Sequence, residues 1–339
     1  MPLYRYIARR ILFVIPLLLG ITVVAFVIAN AVPADPITAN LPMNQLNNPE
    51  IIAAFRAKWG LDKPPIEQYL TYLSNLLRGD LGVSIKTHQP IAQDIAQFLP
   101  ATIELATAGT VFGVTLGVVI GIVSAVWRNH PIDFLARTVS VVGVSVPVFV
   151  LALLGLAVLH GQLGLAAGPG RLSVRITAPP IVTGLMTIDS LLAGQWNTFR
   201  DVLAHLMLPS LVLGLYIAGL ISRVTRSSML EVLSADYMRT ARAKGVGERL
   251  VILRHGLSNA LLPIVTVIGL SYGNLLSGAV LTESIFAWPG IGRYTFRAST
   301  SQDFPAIMGV SILIAFIYVV VNLIVDILYY FIDPRIRTA

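Results

Sequence analysis

Residues able to do covalent or metal chemistry are few in this chain, and their spacing is wrong for it. The five histidines, His88, His130, His160, His205 and His255, lie far apart. No two hold the H-E-x-x-H spacing that sets a pair of imidazoles on one helical face around zinc. No G-x-S-x-G elbow exposes a serine nucleophile. No G-x-x-x-x-G-K-[ST] loop offers a backbone cradle for nucleotide phosphates. Cysteine is absent, which removes disulfides, thiolate metal sites and thiol nucleophiles. The chain is therefore expected to be no enzyme and to bind neither metal nor cofactor. If ATP drives its action, another polypeptide must hydrolyse it.

Polar character concentrates instead in one inner segment and at a few points inside apolar runs. The segment reads Met229-Leu230-Glu231-Val232-Leu233-Ser234-Ala235-Asp236-Tyr237-Met238, then Arg239-Thr240-Ala241-Arg242-Ala243-Lys244-Gly245. Leu230, Leu233, Tyr237 and Ala241 share one face at helical spacing, and Gly245 is placed to end the helix. A second helix is expected from about Glu248 to Asn259. Two uses fit such a loop. The small-residue tip at Ala241, Ala243 and Gly245 suits a groove on a partner, or the basic residues rest on anionic lipid headgroups.

Inside the apolar runs, Ser271, Asn274 and Ser277 are candidates for a translocation pathway, since polar groups at membrane depth are costly. Gly269, Gly273, Ser277 and Gly278 suit close helix packing equally well. Ser145-Val146-Pro147 is expected to kink a span, so Ser145 and Pro147 join the pathway candidates. Asn322 and Asp326, one turn apart, are expected to bond between helices near the inner surface.

The elements that must position these residues are membrane spans. The chain is 55% hydrophobic and 12% charged, with a mean hydropathy of +0.78, whereas soluble domains carry about 25% charged residues. Six runs reach the roughly 20 apolar residues a spanning helix needs, near 11–32, 102–127, 134–160, 202–221, 262–281 and 304–331. A weak seventh near 176–192 holds Pro179, Pro180, Gly184 and Asp189, and reads as loop or re-entrant structure. The first run follows Arg5, Arg9 and Arg10, and Ala29-Asn30-Ala31 after it imitates a cleavage site. It exceeds the roughly 7–15 residues of a signal core, so it reads as a retained first helix.

More than half of the 24 Lys and Arg fall on one side if both termini are cytoplasmic. They include Arg128, Arg137, Arg223, Arg226, Arg249, Arg254, Arg335 and Arg337. The net charge of +7 is thus read as positive-inside bias, with no nucleic-acid partner. The organisation is a tail and first helix (1–32), an outer helical segment (33–100) and a transmembrane domain (98–331) carrying the inner loop 222–263. In the outer segment, Asn48 can cap a helix with Pro49 first and Gly60 past its end. A second helix is expected from Pro65 to before Gly79. The pair either caps the bundle or serves for docking. Trp288-Pro289-Gly290 reads as an outer turn with an interfacial aromatic.

The inner loop resembles the EAA loop of type I ABC importer permeases, in the longer form of the dipeptide and oligopeptide (peptide/nickel) family and closest to its dipeptide B-type subunits. The family pattern appears as Asp236-Tyr237-Met238-Arg239-Thr240-Ala241-Arg242-Ala243-Lys244-Gly245, then Arg254-His255-Gly256-Leu257-Ser258-Asn259-Ala260-Leu261-Leu262-Pro263. Further blocks match in order: Gly60-Leu61-Asp62-Lys63-Pro64, Arg78-Gly79-Asp80-Leu81-Gly82, Pro100-Ala101-Thr102-Ile103-Glu104-Leu105, Glu283 through Gly292, and Asp333-Pro334-Arg335-Ile336-Arg337. Two places depart. Arg239 stands near the usual EAA glutamate, and Ala166-Ala167-Gly168-Pro169-Gly170-Arg171 replaces a Pro-Pro-Ser-Gly-Arg-like turn.

The resemblance implies an all-α integral membrane protein of six spans with the type I ABC importer permease fold, in the bacterial cytoplasmic membrane. It implies a second homologous permease subunit, usually different, two ATP-binding subunits carrying ATP and Mg, and an outer solute-binding protein. Asp236, Tyr237, Arg239, Thr240, Ala241, Arg242, Ala243, Lys244 and Gly245 would dock on the ATPase. Peptide is the implied solute, with nickel, glutathione and saccharides as alternatives. An ion-gradient-driven transporter would share the spans but leave the inner loop unexplained.

Overall fold

The computed structural model describes residues 3–31, 37, 41, 45–59 and 63–332. Gly60 and the block Asp333–Arg337 lie outside them. In chain order the helices are α1 (Leu3–Ala31), α2 (Pro49–Trp59), α3 (Pro65–Leu77), α4 (Ile91–Val126), α5 (Pro131–Ser145), α6 (Val148–Gln162) and α7 (Met186–Leu192). They continue with α8 (Trp196–Leu233), α9 (Asp236–Ala243), α10 (Glu248–Leu276), α11 (Val280–Ile285), α12 (Ile291–Thr300) and α13 (Phe304–Ile332). Among the described residues no strand forms, and a single isolated bridge joins Val83 to Pro90.

Four helices, α4, α8, α10 and α13, are long and apolar enough to cross a membrane, and the bent pair α5–α6 adds a fifth if it is one span. α1 has 29 residues, and its described apolar stretch is Leu12–Val24. At 1.5 Å per residue the 36 residues of α4 and the 38 of α8 rise about 54 and 57 Å, well beyond a roughly 30 Å hydrocarbon core. Both helices therefore project. α4 begins eleven residues before the apolar run that announced it, so the expected boundary between an outer segment and a domain starting near 98 falls inside a continuous helix. Pro100 sits within it.

The centre of the bundle is the seam between α4 and α8. Gly109, Gly113, Gly117 and Gly121 recur every four residues and form one stripe on α4. A Cβ at Gly113 would lie 2.7 Å from Cβ of Ile217, at Gly117 2.9 Å from that of Ile221, and at Gly121 2.5 Å from that of Thr225. Lipid supplies no hydrophobic force between helices, so association depends on close van der Waals contact, and glycine lets the backbones meet. Gly214 answers from α8, where a Cβ would strike the Phe112 ring at 2.5 Å. On α10, Gly269 and Gly273 do pack closely, against Val325 and against Val321 and Tyr318 of α13. Gly278 packs closely too, but outside the helix: at φ +105 it lies past the end of α10, and a Cβ there would fall 2.6 Å from Cα of Gly292. The span expected to reach residue 281 therefore ends at Leu276.

The run 134–160 is not one kinked helix. α5 and α6 meet at 96°. Val146 is extended at φ −80, ψ 123, as the residue before proline must tend to be, and Pro147 has no N–H to continue the ladder. The 176–192 region is irregular apart from α7. Asp189 gathers it, accepting from Thr183 N and Oγ1 and from Gly184 N at 2.7–3.0 Å.

The outer hairpin forms as expected. Asn48 Oδ1 accepts from Glu50 N at 3.0 Å at the start of α2, and α3 runs Pro65–Leu77 with Gly79 at φ +79. α3 lies against α1: Tyr69 Oη meets Thr22 Oγ1 at 2.9 Å, and Phe26 packs edge-on to the Tyr69 ring. Ile66, Leu70 and Leu77 stay exposed on α3. At the other end of α1, Arg10 pairs with Asp326 of α13 at 2.9 Å, the interhelical bond expected of Asp326, while Asn322 is exposed.

Candidate coupling and translocation site

The inner loop is built on the projecting ends of α8 and α10. α8 does not run on through Asp236. Ser234 Oγ turns back to the Glu231 carbonyl at 2.7 Å, and Ala235 is extended at ψ 149, so the chain restarts as the separate helix α9. The face expected from Leu230 through Ala241 is thus broken. Leu230 and Leu233 pack in the bundle with Met229 and Ile264, while Tyr237 is exposed. Met238 is the residue that anchors α9. It is fully buried, and its methyl would lie 3.7 Å from a Cβ at Gly256, beside the methyl of Met229. Its thioether was legible only as one more apolar position, because the register changes at Ser234.

Gly245 behaves as its position demands. It lies at φ +77, Val246 N donates to Ala241 O at 3.3 Å, and Gly245 N donates to Arg242 O at 2.9 Å. This left-handed cap closes the helix and satisfies its last carbonyls. No atom lies within 4 Å of a Cβ built there, so conformation alone favours glycine. Arg242 then locks the tip, donating from its guanidinium to Glu248 at 2.8 and 3.1 Å. Asp236, Tyr237, Arg239, Thr240, Arg242, Ala243, Lys244 and Gly245 are exposed and Ala241 half-buried. The result is a basic, small-residue tip that presents nearly every side chain outward.

The structure places the membrane candidates in two groups. Ser145 and Pro147 flank the α5–α6 bend and are exposed. Ser271 and Asn274 lie on α10 and Ser277 caps its end, and among the described residues no hydrogen bond joins the two groups. Ser271 is buried. Asn274 is exposed and accepts a hydrogen bond from Tyr318 of α13, and Ser277 Oγ donates to its carbonyl at 2.7 Å. Tyr272 meets Thr107 of α4 at 3.1 Å. Tyr318 and Tyr272 extend this polar strip; both stand in otherwise apolar helices, the signal that could have found them.

The opposite end closes around buried charge. Glu104 of α4 receives the Arg171 guanidinium at 2.5 Å and Thr187 N at 2.7 Å. Arg171 also lies over the Trp288 ring, 5.6 Å from its centre. Trp288 is completely buried and donates from its indole to Ala101 O at 2.8 Å, so it is a core residue rather than an interfacial one. Gly170, at φ +106, donates to Phe286 O at 2.8 Å. Gly170 and Arg171 thus tie the turn that follows 166–169 to Phe286, Glu104 and Trp288.

Glu283 is fully buried, accepting from Thr102 Oγ1 and Arg293 N at 2.8 Å each. Burial pushes its carboxyl above the usual range, and these hydrogen bonds pull it partly back. Asp303 starts α13, accepting from Ala306 N at 3.2 Å, and also takes Ser84 Oγ at 2.6 Å, which ties the outer segment to the bundle.

In sequence the chain is similar to known transport permeases over nearly its whole length. A dipeptide transport system permease protein DppB of Alkalihalophilus pseudofirmus is 44% identical across 98% of this chain and 99% of that protein. A probable D,D-dipeptide transport system permease protein DdpB of Escherichia coli is 43% identical across 94% and 93%. A glutathione transport system permease protein GsiC of Escherichia coli is 37% identical across 98% and 99%. The profile described as binding-protein-dependent transport system inner membrane component matches residues 117–338, and its N-terminal companion matches residues 3–106. Between them they take in both the α2–α3 hairpin and the whole of Asp236–Gly245, and the chain belongs to the family of binding-protein-dependent transport system inner membrane components.

Proposed function

We propose that this chain is the permease subunit of an ATP-binding-cassette importer that carries di- or oligopeptides across the cytoplasmic membrane. The observation that carries the reading is the exposed tip Asp236–Gly245, anchored by the buried Met238 and closed by the left-handed Gly245, in a member of this family. Its relatives named for dipeptides support peptide as the solute. The chain acts as a transport subunit without an ATPase site of its own. ATP and Mg belong to two partner ATP-binding subunits, and a second homologous permease completes the pathway. An outer solute-binding protein delivers the peptide.

In this reading α1 and the bent α5–α6 pair join the four long helices to make six spans, with both termini cytoplasmic. The organisation 1–32, 33–100 and 98–331 describes roles rather than separate folding units. The loop 222–263 is the cytoplasmic coupling element. ATP binding and the loaded solute-binding protein each favour one of two packings of the bundle, and that differential binding drives the solute through. Ser145, Pro147, Ser271, Asn274 and Ser277, with Tyr318, line the route. Closure of the outer end is maintained by Glu104, Arg171 and Trp288.

Reconstitution tests the reading. Proteoliposomes holding the permease pair, the ATPases and the solute-binding protein take up labelled dipeptide only with ATP inside the ATPase compartment. Uptake persists when ion gradients are collapsed. ATP-independent uptake that follows an ion gradient contradicts it, and uptake of glutathione in place of dipeptide reassigns the solute.

A further inference from the structure

At the same end as the coupling tip, a cavity of about 400 Å³ opens between α4, α5 and α8. Its charged lining is Arg137, Arg223 and Arg226. The nearest carboxylate is Asp133, completely buried behind the lining residues Ser124 and Arg226 rather than in the lining itself. Asp133 is already saturated: it accepts from Ser124 Oγ at 2.5 Å, Asn129 N at 3.0 Å and Arg226 Nε and Nη2 at 3.0 Å each. Arg137 approaches the same carboxylate at 3.4 Å, with half of its side chain exposed. Arg223 is exposed and has no acidic partner among the described residues. Two guanidinium groups, those of Arg226 and Arg137, thus share one carboxylate and that of Arg223 has none, which leaves excess positive charge in the cavity lining.

The surroundings fit an amphiphile. Arg137 lies on α5 between Phe134 and Val141, one turn away on either side, and both are exposed apolar residues. Ile120, Val141 and Leu230 supply an apolar wall beside the hydroxyls of Ser140, Ser222 and Ser227. A free anion would use the guanidiniums and the exposed Ser227 hydroxyl, since Ser140 donates to Ala136 O and Ser222 to Ser140 Oγ and Gly219 O, and would leave that wall wet. A phospholipid would place a phosphate on Arg137 and Arg223 and an acyl chain along Phe134 and Val141. Basic pockets between transmembrane helices on the cytoplasmic side bind anionic headgroups in this way.

We propose that this cavity is a binding site for the phosphate headgroup of an anionic phospholipid, with phosphatidylglycerol as the simplest ligand. The inner leaflet follows from the orientation proposed above; the site itself does not depend on transport.

The test is native mass spectrometry of the full-length chain, purified from membranes with its associated subunits, after exposure to equimolar phosphatidylglycerol and phosphatidylcholine of identical acyl chains. Phosphatidylglycerol is retained preferentially, and Arg137→Gln/Arg223→Gln lowers its retention about tenfold or more, to the level of phosphatidylcholine. Ser227→Asp, which adds a negative charge at the rim and leaves the Asp133 network intact, gives a loss in the same direction. The charge-matched control Arg128→Gln/Arg249→Gln, outside the cavity, leaves retention unchanged. Millimolar inorganic phosphate fails to displace the lipid. Equal retention of the two lipids, equal loss in both double variants, or displacement by inorganic phosphate overturns the proposal. None of these readouts involves uptake, so a failed transport assay does not bear on them.

Discussion

The α4–α8 seam and the α9 tip both depend on glycine, for opposite physical reasons. In the seam, Gly113 and Gly121 are ordinary helical residues whose missing Cβ lets two backbones touch. At the tip, Gly245 has empty space around it and is required by its φ of +77. One region is a packed body in which added atoms have nowhere to go. The other is an exposed tip, anchored at Met238 and otherwise facing outward. The difference separates two failures that a transport assay alone would confuse: a permease that no longer assembles, and one that assembles but no longer couples.

Gly121→Leu should give the largest effect. Its Cβ alone would lie 2.5 Å from Cβ of Thr225 and 2.8 Å from Ser222 O, so the seam must separate, at a cost of about 3 kcal/mol or more. Loss of the monodisperse detergent-solubilised peak and a clear fall in Tm are expected. A stable, well-packed Gly121→Leu protein would show that the seam is not the core.

Met238→Ala should come next. Removing a fully buried side chain costs about 2 kcal/mol, but the loss is local to α9 and its seat near Gly256. Hydrogen exchange should rise in residues 234–247 while α4 and α8 stay protected. Uniform loosening of the bundle would mean that the tip and the core are one cooperative unit.

Gly245→Ala should be smaller. The cavity around it is open, so only the left-handed conformation is penalised, by about 1 kcal/mol. The expected Tm change is slight. A fall comparable to that of Gly121→Leu would refute the distinction between the two glycines.

Ser74→Cys and Ser234→Cys should perturb almost nothing, since both positions are exposed and the chain has no cysteine of its own. They report which end faces which side. An impermeant maleimide should label Ser74→Cys in intact cells and spare Ser234→Cys; the reverse would invert the molecule.

The same contrast shows what the sequence makes legible. Long apolar runs announce the spans, because hydropathy integrates over many residues. Local backbone chemistry was readable too, as at Asn48-Pro49 and at Gly245, where residue type and conformation are tied closely. The outward start of α4 was hidden, because Gln93, Asp94 and Gln97 dilute the hydropathy of a helix that is nonetheless continuous from Ile91. The break at Ser234 was hidden because nothing in Leu233-Ser234-Ala235-Asp236 forbids a helix; the tertiary seat of Met238 decides it. Trp288 looked interfacial by residue type, and only the fold supplies the carbonyl of Ala101 that lets it be buried. The four-residue glycine spacing of α4 stands in the sequence and carries the main contact of the bundle, though its partner helix could not be read from it.

The account rests on the tip of α9 docking to a separate ATPase, and one measurement reaches that directly. ATPase captured by affinity-tagged permease in detergent should be compared for wild type, Ala241→Trp and Gly245→Val, with dipeptide uptake measured in the same cells. Both variants are expected to insert and to keep their monodisperse peak, while capture of the ATPase falls sharply and uptake is lost. Normal capture and normal uptake by both variants would contradict the coupling role of Asp236–Gly245 and, with it, the ATP-driven mechanism.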